Sequence, residues 1–184
     1  MTGRERVGSV ENGASHPDRR WRDARLGDAD VTYWFLHRAL RWDVVLQLTW
    51  VMDGPIGEDT LALLNHHLAA GRLHRRLVVP RIPGARPRWT ESADVPALII
   101  DDAVIEDGEA DSWAADEMAT VRLDAEGGRC WRLRAASCAS GATALSLCAL
   151  HLVADGRTLV SAAAAAMAAL RWVRRGRRRR ARTL

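Results

Sequence analysis

The apolar positions of this chain change their spacing from segment to segment, and the spacing indicates which element each segment forms. Between Val44 and Met52 apolar and polar residues alternate, so that Leu46, Leu48 and Trp50 fall on one face. A period of two residues is typical of a half-buried β-strand. The turn-forming sequence DGP follows at once, which indicates that the strand ends there.

Helical signals occur on both sides of this strand. The segment TYWFLHRAL before it is short and apolar, and it fits a helix. After the strand, Asp59 is placed to cap a second helix in which Leu61, Leu64 and Leu68 fall on one face, and Gly71 is placed to end it. The sequence RRLVV then predicts another strand, which ends at the proline-rich segment PRIPGARPRW.

The last third of the chain predicts a helix, a hairpin and a second helix. Ser112 is placed to cap a short helix that contains Trp113 and Met118. The sequences RCWRLRAAS and TALSLCALH read as two strands, and CASGA between them predicts a β-hairpin. The alanine-rich run 157–172 predicts the final helix. Because helices and strands are mixed along the chain, we predict an α/β sandwich rather than a helical bundle.

Length and composition limit the number of domains. The 184 residues are 48% hydrophobic, which suffices for one domain with a substantial core but is short for two. Residues 1–30 are polar and lack apolar periodicity, and we predict that they form a disordered leader. Residues 31–173 then form the domain, and residues 174–184 form an arginine-rich tail.

The net charge is unevenly distributed along the chain. All 27 basic residues are arginine, and removing the eight that occur from Arg171 onward turns the formal charge of +4 into −4. A basic face on a folded domain would indicate nucleic-acid binding. A terminal run of arginines indicates only an anionic partner or a solvated tail, so we do not expect nucleic acid as the partner.

The cysteines and the apolar runs indicate the cellular compartment of the protein and its relation to membranes. Cys130, Cys138 and Cys148 are odd in number and form no CxxC pair, which predicts reduced thiols in a cytoplasmic protein. The N-terminal residues are polar through Asp30, so we expect no signal peptide there. The longest apolar run, 159–170, is too short to span a bilayer, so membrane or lipid contact would be peripheral.

The sequence HLVADG holds the strongest candidate for catalysis. His151 follows Leu147 and Ala149 on one face of a strand, so it ends a buried strand. A neutral imidazole at a cleft can take a proton from a hydroxyl, an amine or a thiol. Asp155 can fix the turn or cap the next helix, and Gly156 can allow close backbone packing. From this spacing alone a structural histidine is the commoner case, and a catalytic one is the alternative.

Longer stretches of the sequence resemble a known superfamily. HLVADG resembles the HHxxxDG motif of the coenzyme-A-dependent acyltransferases, which include chloramphenicol acetyltransferases, peptide-synthetase condensation domains and the wax ester synthase/diacylglycerol acyltransferase family. MDGPI, LALLNHHLAAGRLHRRLVVPRIPGARPRW and VRLDAEGGRCWRLRAA are similar to successive segments of the wax ester synthase branch. The resemblance runs from about Val31 to Trp172.

The resemblance implies a chloramphenicol-acetyltransferase-like two-layer sandwich and an acyl-transfer reaction. An acyl group would pass from acyl-CoA or a carrier-protein thioester to a hydroxyl or an amine, with no metal or redox cofactor. His151 matches the general base of the motif, and Asp155 and Gly156 match its structural aspartate and glycine. Leu150 stands where the motif has its first histidine.

We also predict the surroundings of the motif aspartate. Asp155 lies four residues beyond His151, past the end of the strand, so its carboxylate should point away from the imidazole. A carboxylate buried there needs a charged partner. Arg132 or Arg134 on the neighbouring strand is the expected partner.

The resemblance covers a single lobe of these enzymes. Condensation domains and wax ester synthases are longer and have two similar lobes, with the active-site tunnel between them, and this chain is similar to the N-terminal lobe. One lobe supplies one wall of such a site. The chain would therefore self-associate, recruit a second lobe or be inactive. The alternative function is a non-catalytic lobe that binds a partner or an acyl chain.

Three other groups of residues have simpler interpretations than a ligand site. The two histidines of the second predicted helix, with a third further along the chain, fit a partly exposed helix face better than a metal site. The acidic run near residue 101 fits a surface loop better than a cation site. The tryptophans in apolar segments fit a core better than a ligand platform. The residues concerned are His66, His67 and His74; Asp101, Asp102, Glu106 and Asp107; and Trp34, Trp50 and Trp131.

Overall fold

The computed structural model describes residues 24–82, 84–96 and 98–180, and of residues 171–180 it describes the backbone alone. The described residues form four helices and six strands. In chain order these are α1 (Asp28–Leu40), β1 (Val45–Met52), α2 (Glu58–Ala69), β2 (Arg75–Val78), β3 (Arg88–Glu91), β4 (Ile99–Ile100), α3 (Ala110–Thr120), β5 (Trp131–Ser137), β6 (Thr143–Leu150) and α4 (Gly156–Arg180).

The main sheet has four strands in the order β1-β6-β5-β4, and β2 and β3 form a separate antiparallel pair. β6 pairs antiparallel with β1 and β5, whereas β4 pairs parallel with β5. All eight residues of β6 are buried, since strands flank it on both sides and helices pack on both its faces. The predicted hairpin and the predicted α/β sandwich are both confirmed.

Helices α2 and α4 pack together on one face of the sheet. The apolar positions of α2, Leu61, Leu64 and Leu68, are buried as their spacing predicts. They share one core with Leu133 of β5 and Leu147 of β6. Burying side chains of this size contributes about 1.5–3 kcal/mol each, so this core is the main source of stability on this side of the sheet.

Helix α3 covers the opposite face of the sheet. Trp113 and Ala114 form a smaller apolar cluster there with Ala136 and Ala144. Because side chains alternate along a strand, β5 directs Arg132 and Arg134 to this same face. Those two guanidinium groups reach a carboxylate of α3, which is described with the candidate site.

The predicted side-chain caps of α2 and α3 are wrong. α2 begins after Gly57, which makes no side-chain capping bond, and Asp59 lies inside the first turn. α3 begins after Glu109, and Ser112 lies in its first turn, where its hydroxyl donates to the Glu109 carbonyl at 2.8 Å. Acidic residues in the first turn of α2 still interact favourably with the helix dipole, so the residue types indicated the helix but not its first residue.

The described fold begins before the predicted domain boundary at residue 30. Leu26 is 1% exposed, and its N–H donates to the Pro87 carbonyl at 2.9 Å, so the core already includes this part of the predicted leader. Residues 1–23 and 181–184 lie outside the described residues. The helical backbone of α4 continues through 174–180, the first part of the predicted tail. Among the described helices, none has the length and apolar character needed to cross a membrane.

Candidate active site

The backbone around His151 ties the end of the central strand to both its neighbours. The N–H of Leu150 donates to the Cys130 carbonyl at 2.9 Å, and the N–H of His151 donates to the Val44 carbonyl at 2.7 Å. The chain then turns sharply, because the N–H of Val153 donates back to the Leu150 carbonyl at 2.9 Å. His151 therefore stands at the first position after the sheet, with its backbone fixed.

The imidazole of His151 is half-buried beneath helix α1. It stacks on the ring of Tyr33, with 4.1 Å between the ring centroids and 20° between the ring planes. Its Nδ1 is buried and has no hydrogen-bond partner within the described part of the chain. A ligand would therefore reach this ring through Nε2, in the plane of the imidazole.

A half-buried arginine supports the loop that follows His151. Nη2 of Arg75 donates to the Val153 carbonyl at 2.6 Å, and its guanidinium lies 4.2 Å from the centroid of the Trp89 ring. Burial lowers the pKa of Arg75 to about 10, so the group is still charged near neutral pH. A charged donor on a backbone carbonyl makes a strong hydrogen bond, which holds the loop against β2.

A carboxylate from α1 completes the charged surroundings. Burial raises the pKa of the half-buried Asp30 carboxyl, and the charges of Arg75 and His151 and a hydrogen bond from Gly27 oppose this rise. Asp30 and Tyr33 are three residues apart on one helix, so they occupy the same face of α1. This face brings a carboxylate and an aromatic ring to His151.

Asp155 caps helix α4 and makes no buried ion pair. Its Oδ1 accepts a hydrogen bond from the backbone N–H of Thr158 at 2.7 Å, and the carboxylate is exposed. The hydrogen bond from Thr158 lowers the pKa of Asp155, and the charges of Arg157 and His151 act in the same direction. The capping role that the sequence allowed is the one observed.

The predicted pairing of Asp155 with Arg132 or Arg134 is wrong. Nε of Arg132 donates to Glu117 at 2.7 Å, and Nη1 of Arg134 donates to the same carboxylate at 3.2 Å. Arg134 also binds Asp101. Both arginines point towards α3, whereas the chain turns at His151 and leaves Asp155 at the exposed start of α4.

Gly156, the third motif residue, is the first residue of α4. A Cβ placed on it would meet no atom within 4 Å, so the close backbone packing predicted for this glycine is not found.

Sequence reasoning missed three residues of this site: Asp30, Tyr33 and Arg75. Two signals were available. The spacing of Asp30 and Tyr33 puts them on one face of a helix, and Tyr33 is the single tyrosine of the chain. Arg75 is in register with the buried Leu77 on β2, which directs its side chain inward.

Four pockets of the described structure are lined by residues other than His151. A groove of about 440 Å³ between α2 and α4 is lined by alanines and by Arg72 and Arg157. A pocket of about 270 Å³ lies beside the 53–57 loop and Met167, where β1 ends. Two more lie beside residues 84–87. The cleft expected at His151 is not one of these pockets, and Tyr33 covers one face of the ring instead.

The histidines and acidic residues considered for metal binding are not gathered into a site. Among the described residues, no three His, Cys, Asp or Glu side chains are grouped in a way that could hold a metal ion. Asp101 instead pairs with Arg134 and accepts a hydrogen bond from the Trp113 indole at 2.6 Å. All three cysteines are buried and free, and burial raises the pKa of Cys130 to about 12.

Comparison with known proteins identifies the fold. No family model and no curated protein matches the sequence. The first condensation domain of the calcium-dependent antibiotic synthetase is similar in structure, with a TM-score of 0.58 and 18% identity over 73% of this chain and 35% of that chain. A starter condensation domain of rhizomide synthetase RzmA, in a mutant form, gives a TM-score of 0.64 and 13% identity over 78% of this chain and 36% of that one.

A further RzmA starter domain structure, also a mutant, was solved in complex with C8-CoA. It has a TM-score of 0.58 and 12% identity over 73% of this chain and 32% of that chain. This chain thus spans about a third of the length of the condensation domains it resembles. The fold is that of one lobe of the chloramphenicol-acetyltransferase-like sandwich, which confirms the predicted fold class.

Proposed function

We propose that this chain is an acyltransferase lobe that moves an acyl group from a thioester to a hydroxyl or an amine, with His151 as the general base. The observation that carries the proposal is the placement of His151. It leaves the central strand of a condensation-domain-like sheet with its backbone fixed, Nδ1 buried and one ring face covered. This arrangement directs Nε2 towards an incoming acceptor.

The proposed reaction proceeds by attack of the acceptor on the thioester. Nε2 of His151 takes the proton from the hydroxyl or amine as that oxygen or nitrogen bonds to the thioester carbonyl carbon. The carbon–sulfur bond then breaks, and the leaving thiolate takes the proton back from the imidazolium. Arg75 and Asp155 act here through structure, since they hold the two ends of the loop that positions the histidine.

The donor and the acceptor are proposed with different support. A condensation domain solved with C8-CoA has the same fold, which supports an acyl-CoA or acyl-carrier thioester as the donor. An alcohol as the acceptor, as in the wax ester synthase/diacylglycerol acyltransferase family, rests on the sequence resemblance alone. The test uses C8-CoA with a long-chain alcohol and with an amine as alternative acceptors.

The described lobe supplies one wall of the proposed site. Acyl transfer needs both reactants oriented and water excluded. The apolar residues Phe35, Leu40, Trp42 and Val51 are each at least half exposed, on α1, just after it and on β1. We therefore propose that turnover needs a second wall, from a second lobe or from a second copy of this one, and that this lobe alone as a monomer does not turn over.

The experiment measures thiol release from C8-CoA alongside the mass of the protein in solution. In an active preparation His151→Ala should lower turnover by about 10²–10⁴-fold, the usual contribution of a general base. His66→Ala is the matched control, because His66 is an exposed histidine on α2. Equal turnover in His151→Ala and the parent protein would end the catalytic proposal, and His151-dependent turnover by a verified monomer would end the two-wall argument.

A non-catalytic lobe is the second candidate function. The exposed apolar residues around α1 and β1 favour it, because large exposed apolar patches mark binding surfaces. This candidate predicts that C8-CoA or a partner lobe binds with no thiol release in any oligomeric state. Titration calorimetry together with the thiol-release assay separates the two candidates.

A further inference from the structure

Helix α1 contributes an aromatic contact to the site, beside the carboxylate of Asp30. None of its residues is fully buried, although Val31, Tyr33 and Trp34 pack against the core. Tyr33 lies against His151 with the rings 4.1 Å apart and nearly parallel. The helix therefore touches the proposed general base with an apolar ring face.

The imidazole lacks the restraint that usually fixes a catalytic histidine. A functional histidine commonly holds its ring by donating from one nitrogen to a carbonyl or a carboxylate. Nδ1 of His151 is buried, and no described residue accepts or donates a hydrogen bond there. Rotation of a histidine ring about its Cβ–Cγ bond is otherwise broad. The stack on Tyr33 is thus a contact that can limit this rotation.

We infer that Tyr33 is a positioning residue, which fixes the plane of the His151 ring and so aims the Nε2 lone pair at the acceptor. The inference rests on the proposed function of His151. The lone pair that takes a proton lies in the ring plane, so a partner stacked on the ring face orients it without blocking it. An edge or hydrogen-bonding partner at Nε2 would instead compete with the acceptor.

The position of Tyr33 is itself fixed from both ends of α1. Before the helix, Leu26 is buried and bonded to Pro87. In the last turn of the helix, Arg38 pairs with Glu126 at 3.1 Å. Just after the helix, the N–H of Trp42 donates to the Leu36 carbonyl at 3.2 Å. These contacts lie on either side of Tyr33, so its ring does not depend on the stack alone for its position.

The test compares three variants of the full chain by NMR and by kinetics. In the parent protein the His151 ring protons should be shifted to high field by the Tyr33 ring current and should show cross-relaxation with the Tyr33 ring. Tyr33→Phe keeps the aromatic face and should keep both signals. Tyr33→Leu removes the face and should lose the high-field shift. Thr32→Leu is the matched control, since Thr32 is exposed on the same helix and lies outside the exposed apolar surface.

The kinetic arm measures kcat and KM separately in the active assembly. Tyr33→Leu should lower kcat by about 10- to 100-fold, the scale expected when a reacting group is misplaced by about 1 Å. KM should not change, and Tyr33→Phe should restore kcat. An unchanged kcat in a folded Tyr33→Leu protein would overturn the inference, as would the absence of the ring-current shift in the parent protein.

The two arms separate this inference from the proposed function. If the parent protein shows the ring stack but no acyl transfer with any acceptor or partner lobe, the acyltransferase proposal fails and the stack stands. If acyl transfer depends on His151 but the rings show no cross-relaxation, the positioning role of Tyr33 fails and the acyltransferase proposal stands. If Tyr33→Leu does not fold, the ring-current shift and the cross-relaxation in the parent protein still test whether Tyr33 holds the His151 ring.

Discussion

The two faces of the main sheet are buried by different chemistry. On the α2/α4 face, β5 and β6 present Leu133 and Leu147 to a core built from apolar side chains. On the α3 face, the same strands present Arg132, Arg134 and Ser146, which form hydrogen bonds with α3, β1 and the segment after β4. The stability of an apolar face depends on the total volume of its side chains. The stability of a charged face depends on every hydrogen-bonding partner being present. The same strand pair therefore tolerates different substitutions on its two sides.

The centre of the charged face is Glu117 of α3. Its carboxylate is 1% exposed, and it binds Arg132 through one oxygen and Arg134 through the other. Gln47 extends this polar layer, since its amide donates to Ser146 at 2.9 Å and to the Ala114 carbonyl at 2.7 Å. The two arginines keep about a fifth of their side-chain surface exposed, so water shares in their solvation.

The largest effect is expected from breaking the charged face at Glu117. Glu117→Leu leaves two guanidinium groups without their shared carboxylate, and loss of one partner of a buried ion pair typically costs about 3–5 kcal/mol. The free energy of unfolding, measured by urea denaturation, should fall by an amount in the lower part of this range because the arginines are partly hydrated. Asp116→Leu, on the exposed side of α3, is the control and should leave stability nearly unchanged.

The apolar face should be broken by a change of volume and not by a change of shape. Leu147→Ala should cost about 2–5 kcal/mol, because it removes buried methyl groups and leaves a cavity. Leu147→Met conserves volume and should cost less than about 1.5 kcal/mol. Urea denaturation of the pair measures the difference. Equal losses of stability in Leu147→Ala and Leu147→Met would contradict this, because they would show that the shape of the side chain matters on this face as much as its volume.

On the apolar face, the buried thiol of Cys130 should make the stability of the protein depend on pH in the alkaline range. Its pKa is raised from 9.0 to about 12 in the fold, so the unfolded chain loses this proton first. The contribution of the protonated Cys130 thiol to the free energy of unfolding is complete below pH 9 and is lost as the pH rises towards 12. The free energy of unfolding then falls by at most about 1.4 kcal/mol per pH unit.

The chain contains no lysine, but Arg75, with a pKa of about 10, also titrates in this interval, so the effect of Cys130 is read from a comparison with its variant. The measurement is the free energy of unfolding between pH 8 and pH 11, in the parent protein and in Cys130→Ala. The variant should show the shallower decline. A parallel decline in both proteins would exclude Cys130 as the source.

The smallest effect is expected at Asp155, which lies at the surface where α4 leaves the apolar layer. Asn caps helices as well as Asp does, so Asp155→Asn should leave the melting temperature close to that of the parent protein, whereas Asp155→Ala should lower it slightly. The pKa of Asp155 is lowered by Thr158, so the stabilisation from its charge is present above pH 3.8 and lost as the pH falls further. A large loss of thermal stability in Asp155→Asn, measured by calorimetry, would contradict this expectation, because it would require Asp155 to have a buried ion-pair partner.

The sequence was informative wherever a feature depends on the spacing of nearby residues. The alternation in β1 and β5 and the apolar stripe of α2 each predicted an element that is present. β3 and β4 were missed, since they are only four and two residues long and lie among prolines. A short strand depends on its partner, and no local period reveals it.

The site was predictable in its centre and not in its surroundings. HLVADG identified His151 as a candidate, and the cap formed by Asp155 followed from residue type and position. The ion-pair partner of Arg132 could not be chosen, because alternation shows which face a side chain joins but not which helix covers that face. The stack of Tyr33 on His151 likewise joins two distant segments, and it exists only through the tertiary fold.

The order of strands has a consequence for how the site forms during folding. β5 and β6 are neighbours in sequence and can pair early, but β1 joins β6 only after nearly a hundred intervening residues have been accommodated, with Val45 opposite Leu150. Contacts between distant segments form slowly, because the entropy of closing a long loop must be overcome before they are gained. The hydrogen bond from His151 to Val44 belongs to this late closure. The proposed base thus acquires its final position in the same kinetic step that completes the sheet, so a chain caught before that step would already contain the hairpin but not yet a site.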